Sequence, residues 1–163
     1  MDTPIRYPTP DECGVWPMEA LKTMSGLELL RATMAGKLPP PPMAGLIGTT
    51  VVEVEEGRVV FVGIPEFRHY NPGGAVHGGY AGTLLDSCMT CSVQSTLKPG
   101  VSCVTLEYKV NLVRPMTKDT GLVRAEGRVI HPGTRTATAE GRIVDAQGRL
   151  YAHGSTTCLV FPI

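Results

Sequence analysis

Apolar residues recur along this chain at two spacings, and the changes between them divide it into elements. From Trp16 to Lys37 they fall at Met18, Leu21, Met24, Leu27, Leu30 and Met34, which predicts helix, with Ser25 placed to cap a second short one. Pro39 to Pro42 then predict an extended polyproline segment. Leu46 to Val54 and Val59 to Ile64 read as two strands joined at Glu55-Glu56-Gly57, a first hairpin. Glu66 to Val76 has no period and holds Pro72, Gly73 and Gly74, so it predicts a loop. From His77 to about Ser95 the stripe Ala81, Leu84, Leu85, Cys88 and Cys91 predicts one long amphipathic helix, ended by Lys98-Pro99-Gly100.

Downstream the spacing becomes two. Val104, Leu106, Tyr108, Val110 and Leu112 alternate with Thr105, Glu107, Lys109 and Asn111. Gly121 to His131, Thr134 to Asp145 and Leu150 to Phe161 follow as three more strands, separated by Pro132-Gly133 and by Asp145 to Gly148. Two strands, a long helix and four strands make an α+β pattern whose antiparallel sheet of about six strands must bury one face, and the central helix is the candidate to cover it. A sheet wrapped around one helix is the hotdog arrangement, although other single-helix antiparallel folds share this order. The expected organisation is one domain over 1–163, with a helical, proline-rich leader at 1–42 and the hotdog core at 43–163.

Composition narrows the function classes. The 163 residues, 42% of them apolar, suffice for one ordinary core. Fifteen basic residues balance fifteen acidic ones, so there is no global field to attract nucleic acid or an anionic membrane. Met1-Asp2-Thr3-Pro4 opens no basic-then-apolar leader, and no run of eighteen apolar residues occurs, so a cytoplasmic location is expected. Five cysteines without framework spacing point to reduced thiols.

Candidate chemistry gathers in sixteen residues. Asn71, His77, Gly78, Gly79 and Asp86 span the loop, the helix start and the helix body. Glycines at a helix start leave backbone N–H groups without helical partners at the positive end of the dipole, where a developing oxyanion is stabilised. Asp86 can act as nucleophile or as general base for water, although an aspartate met alone is more often a solvated surface carboxylate. Gly78 and Asp86 are eight residues apart, ~12 Å along a helix axis, so one substrate atom cannot touch both in one chain. Joint action requires a second copy with its helix antiparallel to the first. Gly79, Gly82, Thr83 and Thr90 share the Asp86 face, and small residues there predict close approach by a ligand or partner backbone. His77 can equally serve as a helix-start residue bonding the loop, and Asn71 before Pro72 as a turn initiator.

The stretch Asn71-Pro72-Gly73-Gly74-Ala75-Val76-His77-Gly78-Gly79-Tyr80-Ala81-Gly82-Thr83-Leu84-Leu85-Asp86 resembles the signature of the PaaI-like acyl-CoA thioesterases of the hotdog superfamily. Ser25 to Leu30 with Lys37-Leu38-Pro39 resembles the leader helix of some members, and Thr105 to Pro115 the strand after the central helix, so the likeness runs from about Ser25 to Val160. The resemblance implies hydrolysis of an acyl-CoA or aryl-CoA thioester by a homo-oligomer, a dimer or a tetramer of dimers. It implies that Gly78 N–H polarises the carbonyl and that Asp86 of the partner activates water or attacks directly. Asn71 would position substrate or water, and His77 would line the same pocket. Gly79, Thr83 and Tyr80 would border the substrate. Thr105 would orient the water, although strict alternation points it away from the apolar face of its strand. No separate cofactor and no metal are implied, since coenzyme A is part of the substrate.

Other chemistries fit less well. Cys88 and Cys91 form C-x-x-C, but mid-helix on the apolar stripe they read as small hydrophobes and not as a redox or zinc site. There is no G-x-S-x-G for a serine hydrolase. A hotdog hydratase using His77 and Asp86 as an acid/base pair, and a non-catalytic acyl-CoA binding module, are the alternatives. The Asp86 carboxylate argues against pure binding of an already anionic ligand.

Overall fold

A computed structural model describes residues 5–163; the reading of Met1 to Pro4 lies outside the described residues. The leader forms two helices, α1 (Met18–Thr23) and α2 (Gly26–Met34). Ser25 caps α2 as its sequence predicts, accepting the Glu28 N–H at 3.3 Å while Glu28 accepts the Ser25 N–H at 2.8 Å. The buried side of α2, Leu29 and Leu30, packs beside the first strand.

The proline run differs from expectation. The chain is extended only as far as Pro41, and Pro42 opens a further helix, α3 (Pro42–Ile47), so Leu46 and Ile47 are helical and not the start of a strand. Proline at the first helical position sacrifices no hydrogen bond, because that N–H has no helical partner. Gly48, at φ 66° and ψ 56°, ends the helix in the left-handed region that glycine adopts freely.

Strands β1 (Thr49–Glu55) and β2 (Arg58–Gly63) form the expected hairpin. Helix α4 (Gly78–Gln94) follows, then β3 (Val101–Leu112), β4 (Val123–His131), β5 (Thr136–Asp145) and β6 (Leu150–Pro162). All pairings are antiparallel, in the order β1-β2-β4-β5-β6-β3. The chain therefore crosses the sheet through α4, from β2 near one edge to β3 at the other. Ala81, Leu84, Leu85 and Cys88 are fully buried and share one core with Val59, Phe61, Ala125, Ala139, Ile143 and Ala152. This is the hotdog arrangement, and the predicted stripe is the side of the helix that the sheet covers. Among the described residues no helix is long and apolar enough to cross a membrane.

On the opposite face of the sheet, an ion-pair network joins β1, β2 and β4. Arg58 Nη2 donates to Glu53 at 2.6 Å and to Glu126 at 3.0 Å, and Arg124 donates to Glu53 as well. The Arg124 hydrogen bond, with help from Arg58 and against partial desolvation, holds the Glu53 carboxyl down at about 2. A carboxyl depressed on folding stabilises the fold above its unfolded pKa, and that contribution fades as pH falls from about 5 toward 2. Glu53→Gln is therefore expected to melt lower than wild type near neutrality and to converge with it near pH 2, as read from thermal melts across that range.

Candidate active site

Gly78, Gly82, Asp86, Thr90 and Gln94 recur every fourth residue and so form one stripe on α4. Strand β3 runs antiparallel beneath it. Leu112 closes over Gly78, where a Cβ would meet its Cδ1 at 2.7 Å, and Tyr108 over Gly82, where a Cβ would lie 3.3 Å from the phenol oxygen. Thr105 reaches Asp86, and Cys103 reaches Thr90 and Gln94. Simple alternation could not place Cys103, Thr105, Tyr108 and Leu112 on one side, because their numbers change parity. A β-bulge between Thr105 and Glu107 shifts the register and makes it possible. The bulge corrects two expectations. Thr105 faces the helix, while Val104 and Leu106, read as part of the buried face, are 47% and 57% exposed. The small-residue face of α4 is in turn covered at Gly82 by a side chain of its own chain.

Thr105 Oγ1 donates to Asp86 Oδ1 at 2.7 Å and lies 2.7 Å from Thr90 Oγ1, which itself approaches Asp86 Oδ1 at 3.3 Å. Two hydroxyls thus fix one carboxylate oxygen and the rotamer. Among the described residues no side chain donates to Oδ2, so that oxygen is left for a water or a substrate. Asp86 is half-buried and opens onto a groove of about 920 Å³, with Ser87, Thr90 and Cys91 beside it and Leu30, Met34, Val51 and Phe61 beyond.

At the other end of the stripe, Gly78 is the first helical residue, and its N–H has no partner within the helix. His77 is the N-cap, and its Nδ1 accepts the Gly79 N–H at 2.8 Å. That bond puts the imidazole proton on Nε2 and engages the Gly79 amide. Thr83 Oγ1 donates to the Gly79 carbonyl at 2.9 Å. Asn71 Oδ1 accepts the N–H groups of Gly73 at 2.8 Å and Ala75 at 3.4 Å, folding the loop back on itself, and its amide nitrogen carries no such duty. His69 O accepts His77 N–H at 2.7 Å, and Met116 O accepts Val76 N–H at 2.9 Å, so the helix start is tied down from two sides.

Tyr80, expected at the substrate, points elsewhere in this chain. It is 5% exposed, its ring stacks on His69 with centroids 4.5 Å apart, and burial pushes its phenol far up. Its hydroxyl lies against Gly63, where a Cβ would come within 2.4 Å. One helical step separates its direction from that of Gly79, and the step turns it into the core. Cys88 is wholly buried, and burial pushes the Cys91 thiol up to about 12, so neither is a ready thiolate.

The sequence-predicted site residues therefore fall into two groups. Asp86 lies with Thr105 and Thr90; Gly78, His77, Gly79 and Asn71 lie at the helix start, ~12 Å away along α4. The sequence had placed Thr90 on the right face without a role. Its four-residue spacing from Asp86 was the available signal, whereas the groove's far wall, built by α2 and the chain after it, left none.

Residues 73–152 match the model of the Thioesterase superfamily. The 1,4-dihydroxy-2-naphthoyl-CoA hydrolase of Listeria monocytogenes serotype 1/2a (strain 10403S) is 30% identical over 115 residues, which cover 70% of this chain and 91% of that protein. The chain belongs to the thioesterase superfamily. A phenylacetic acid degradation-related protein from Ralstonia eutropha JMP134 superposes with a TM-score of 0.73 at 29% identity, over 80% of this chain and 98% of that one. The PaaI protein of the E. coli phenylacetic acid degradation operon shares the fold, with a TM-score of 0.72 at 20% identity over 83% of this chain and 94% of that one. The chain is thus a thioester hydrolase, and all but the first two residues of the loop-and-helix motif at 71–86, its glycines and the aspartate included, lie inside the matched segment.

In this thioesterase the Thr105 hydroxyl fixes the orientation of Asp86, so its loss should be felt in turnover more than in binding. Thr105→Val is expected to lower kcat about tenfold with little change in KM, and Thr105→Ser to retain most activity, as read from steady-state kinetics.

Proposed function

We propose that this thioesterase hydrolyses acyl-CoA or aryl-CoA esters at a site completed by two copies of the chain. The observation that carries this reading is the Asp86 carboxylate, pinned through one oxygen by Thr105 and Thr90, in a residue that lines a largely apolar groove. A carboxylate held in this way serves a reaction; an anionic ligand that is merely bound would be repelled by it.

The thioester carbonyl oxygen lies at the Gly78 N–H of one copy, where the helix dipole and the unpaired amide stabilise its negative charge during attack. Asp86 Oδ2 of the other copy removes a proton from water, and the resulting hydroxide adds to the carbonyl carbon. Collapse of the tetrahedral intermediate breaks the C–S bond, the proton held by Asp86 passes to the departing sulfur, and the acid and coenzyme A are released. Direct attack by Asp86 would instead form a mixed anhydride that water cleaves, with the same products. Appearance of 18O from labelled water in Asp86 after a single turnover would identify the anhydride route. On this reading His77 Nε2–H and the Asn71 amide nitrogen, the groups left over from the loop and cap hydrogen bonds, serve as donors for the substrate.

A second copy is required by the ~12 Å between Gly78 and Asp86. The free edge of β3 supports this reading. It ends the sheet, and it carries large apolar side chains on both faces, Leu106 57% and Tyr108 46% exposed, that pairing with another copy would help to cover. A panel of acyl-CoA and aryl-CoA esters assayed with a thiol-reactive dye tests the activity, and sedimentation of the active protein tests the assembly. Release of no thiol from any ester would overturn the reaction, and full activity in a monomer would overturn the shared site.

A further inference from the structure

The groove beside Asp86 is walled on its far side by the leader, which lies outside the segment that matches the family. Leu30, Met34, Leu38 and Met43 line it there, opposite Val51 and Phe61 of the sheet. Its volume, about 920 Å³, is at the upper end for small-molecule sites and far exceeds what a short acyl group or a single ring would fill. Its lining is mostly apolar, and several of its polar groups are already engaged. Thr33 Oγ1 donates to the Leu29 carbonyl at 3.0 Å and Thr49 Oγ1 to the Val62 carbonyl at 2.9 Å, while at the rim Arg6 is paired with Glu12. Methionine and leucine side chains adapt to an unbranched chain without demanding one shape.

We infer that the leader makes this groove the binding site for the tail of a medium- or long-chain aliphatic acyl group, and so sets the chain-length preference of the enzyme. The inference rests on the reading of Asp86 as the group that acts on the thioester, because the groove begins at that carboxylate and the acyl tail must leave the scissile carbon into it. Each added methylene that the groove takes out of water should tighten binding roughly fourfold, until the apolar walls end. The tail lies against α2 and α3, so residues far from Asp86 in sequence decide which substrate is used.

The test compares butanoyl-CoA with dodecanoyl-CoA in two measurements. In the first, kcat/KM of the wild type is expected to rise at least thirtyfold from the shorter to the longer ester. Met34→Trp and Met43→Trp, at positions 43% and 49% exposed where a larger side chain can be accommodated without disturbing the core, should each lower that ratio at least tenfold by filling the groove. A ratio near one in the wild type, or one unchanged in both variants, overturns the inference. In the second, calorimetric binding of the two esters to Asp86→Asn is measured without turnover. Tighter binding of the longer ester, lost in the Met34→Trp background, supports the groove even if wild type releases no thiol, a result that would remove the hydrolytic reading alone. Equal affinity for both esters overturns the groove whatever the kinetics show.

Discussion

Replacing Asp86 with asparagine is expected to lower turnover of CoA thioesters about a thousandfold while leaving the protein folded. Asparagine keeps the size of the side chain and its carbonyl oxygen, so the Thr105 hydroxyl still has an acceptor where it now donates at 2.7 Å. What disappears is the second carboxylate oxygen, Oδ2, which on the proposed reading takes the proton from water or attacks the carbonyl carbon itself. General-base contributions of 10²–10⁴ in rate are usual, and a thousandfold loss is about 4 kcal/mol of transition-state stabilisation. Asp86 is half-buried and joined to no cation in the described structure, so its neutralisation strands no partner charge. Thermal melts within a few degrees of wild type, together with the lost kcat, would confirm the assignment. Wild-type turnover in the variant would refute it.

Gly127→Ala should produce a large loss of stability. Gly127 lies on β4 opposite Gly141 of β5, directly under α4. A Cβ there would sit 2.2 Å from the Cys88 carbonyl oxygen, 2.3 Å from its carbon and 2.7 Å from Met89 N. All three are helix backbone, and no side-chain rotation can relieve the contact. The helix would have to lift from the sheet or the strand bend away, at a cost of about 3 kcal/mol or more. For a chain of this size that corresponds to a melting temperature lower by roughly 10 °C. The displaced segment begins two residues after Asp86, so activity should fall further than the folded fraction does. An unchanged melting temperature would mean that α4 does not rest on this glycine.

Much of the fold was legible because its signals are periodic. The stripe of Ala81, Leu84, Leu85 and Cys88 gave both the helix and the side that the sheet covers, and the turn residues separated the strands. The Ser25 cap was equally readable, since Ser25 and Glu28 stand at capping-box spacing. The loop-and-helix motif supplied the candidate groups, and the eight-residue spacing from Gly78 to Asp86 supplied the ~12 Å gap. The helical stretch Pro42 to Ile47 was not legible, because Leu46 and Ile47 abut strand residues and a proline run masks a helix start.

The sequence by itself determined one long helix against an antiparallel sheet, and a carboxylate and a glycine amide held apart on that helix. Only the tertiary structure decided that Thr105 turns inward, that Tyr80 goes to the core, and that the leader walls the groove beside Asp86. The reason is physical. Helix and strand periods are local consequences of backbone geometry, so they are written in consecutive residues. A one-residue bulge in β3 reverses the facing of its side chains, and the docking of α2 across the sheet depends on contacts between segments far apart in the chain; neither leaves a periodic mark.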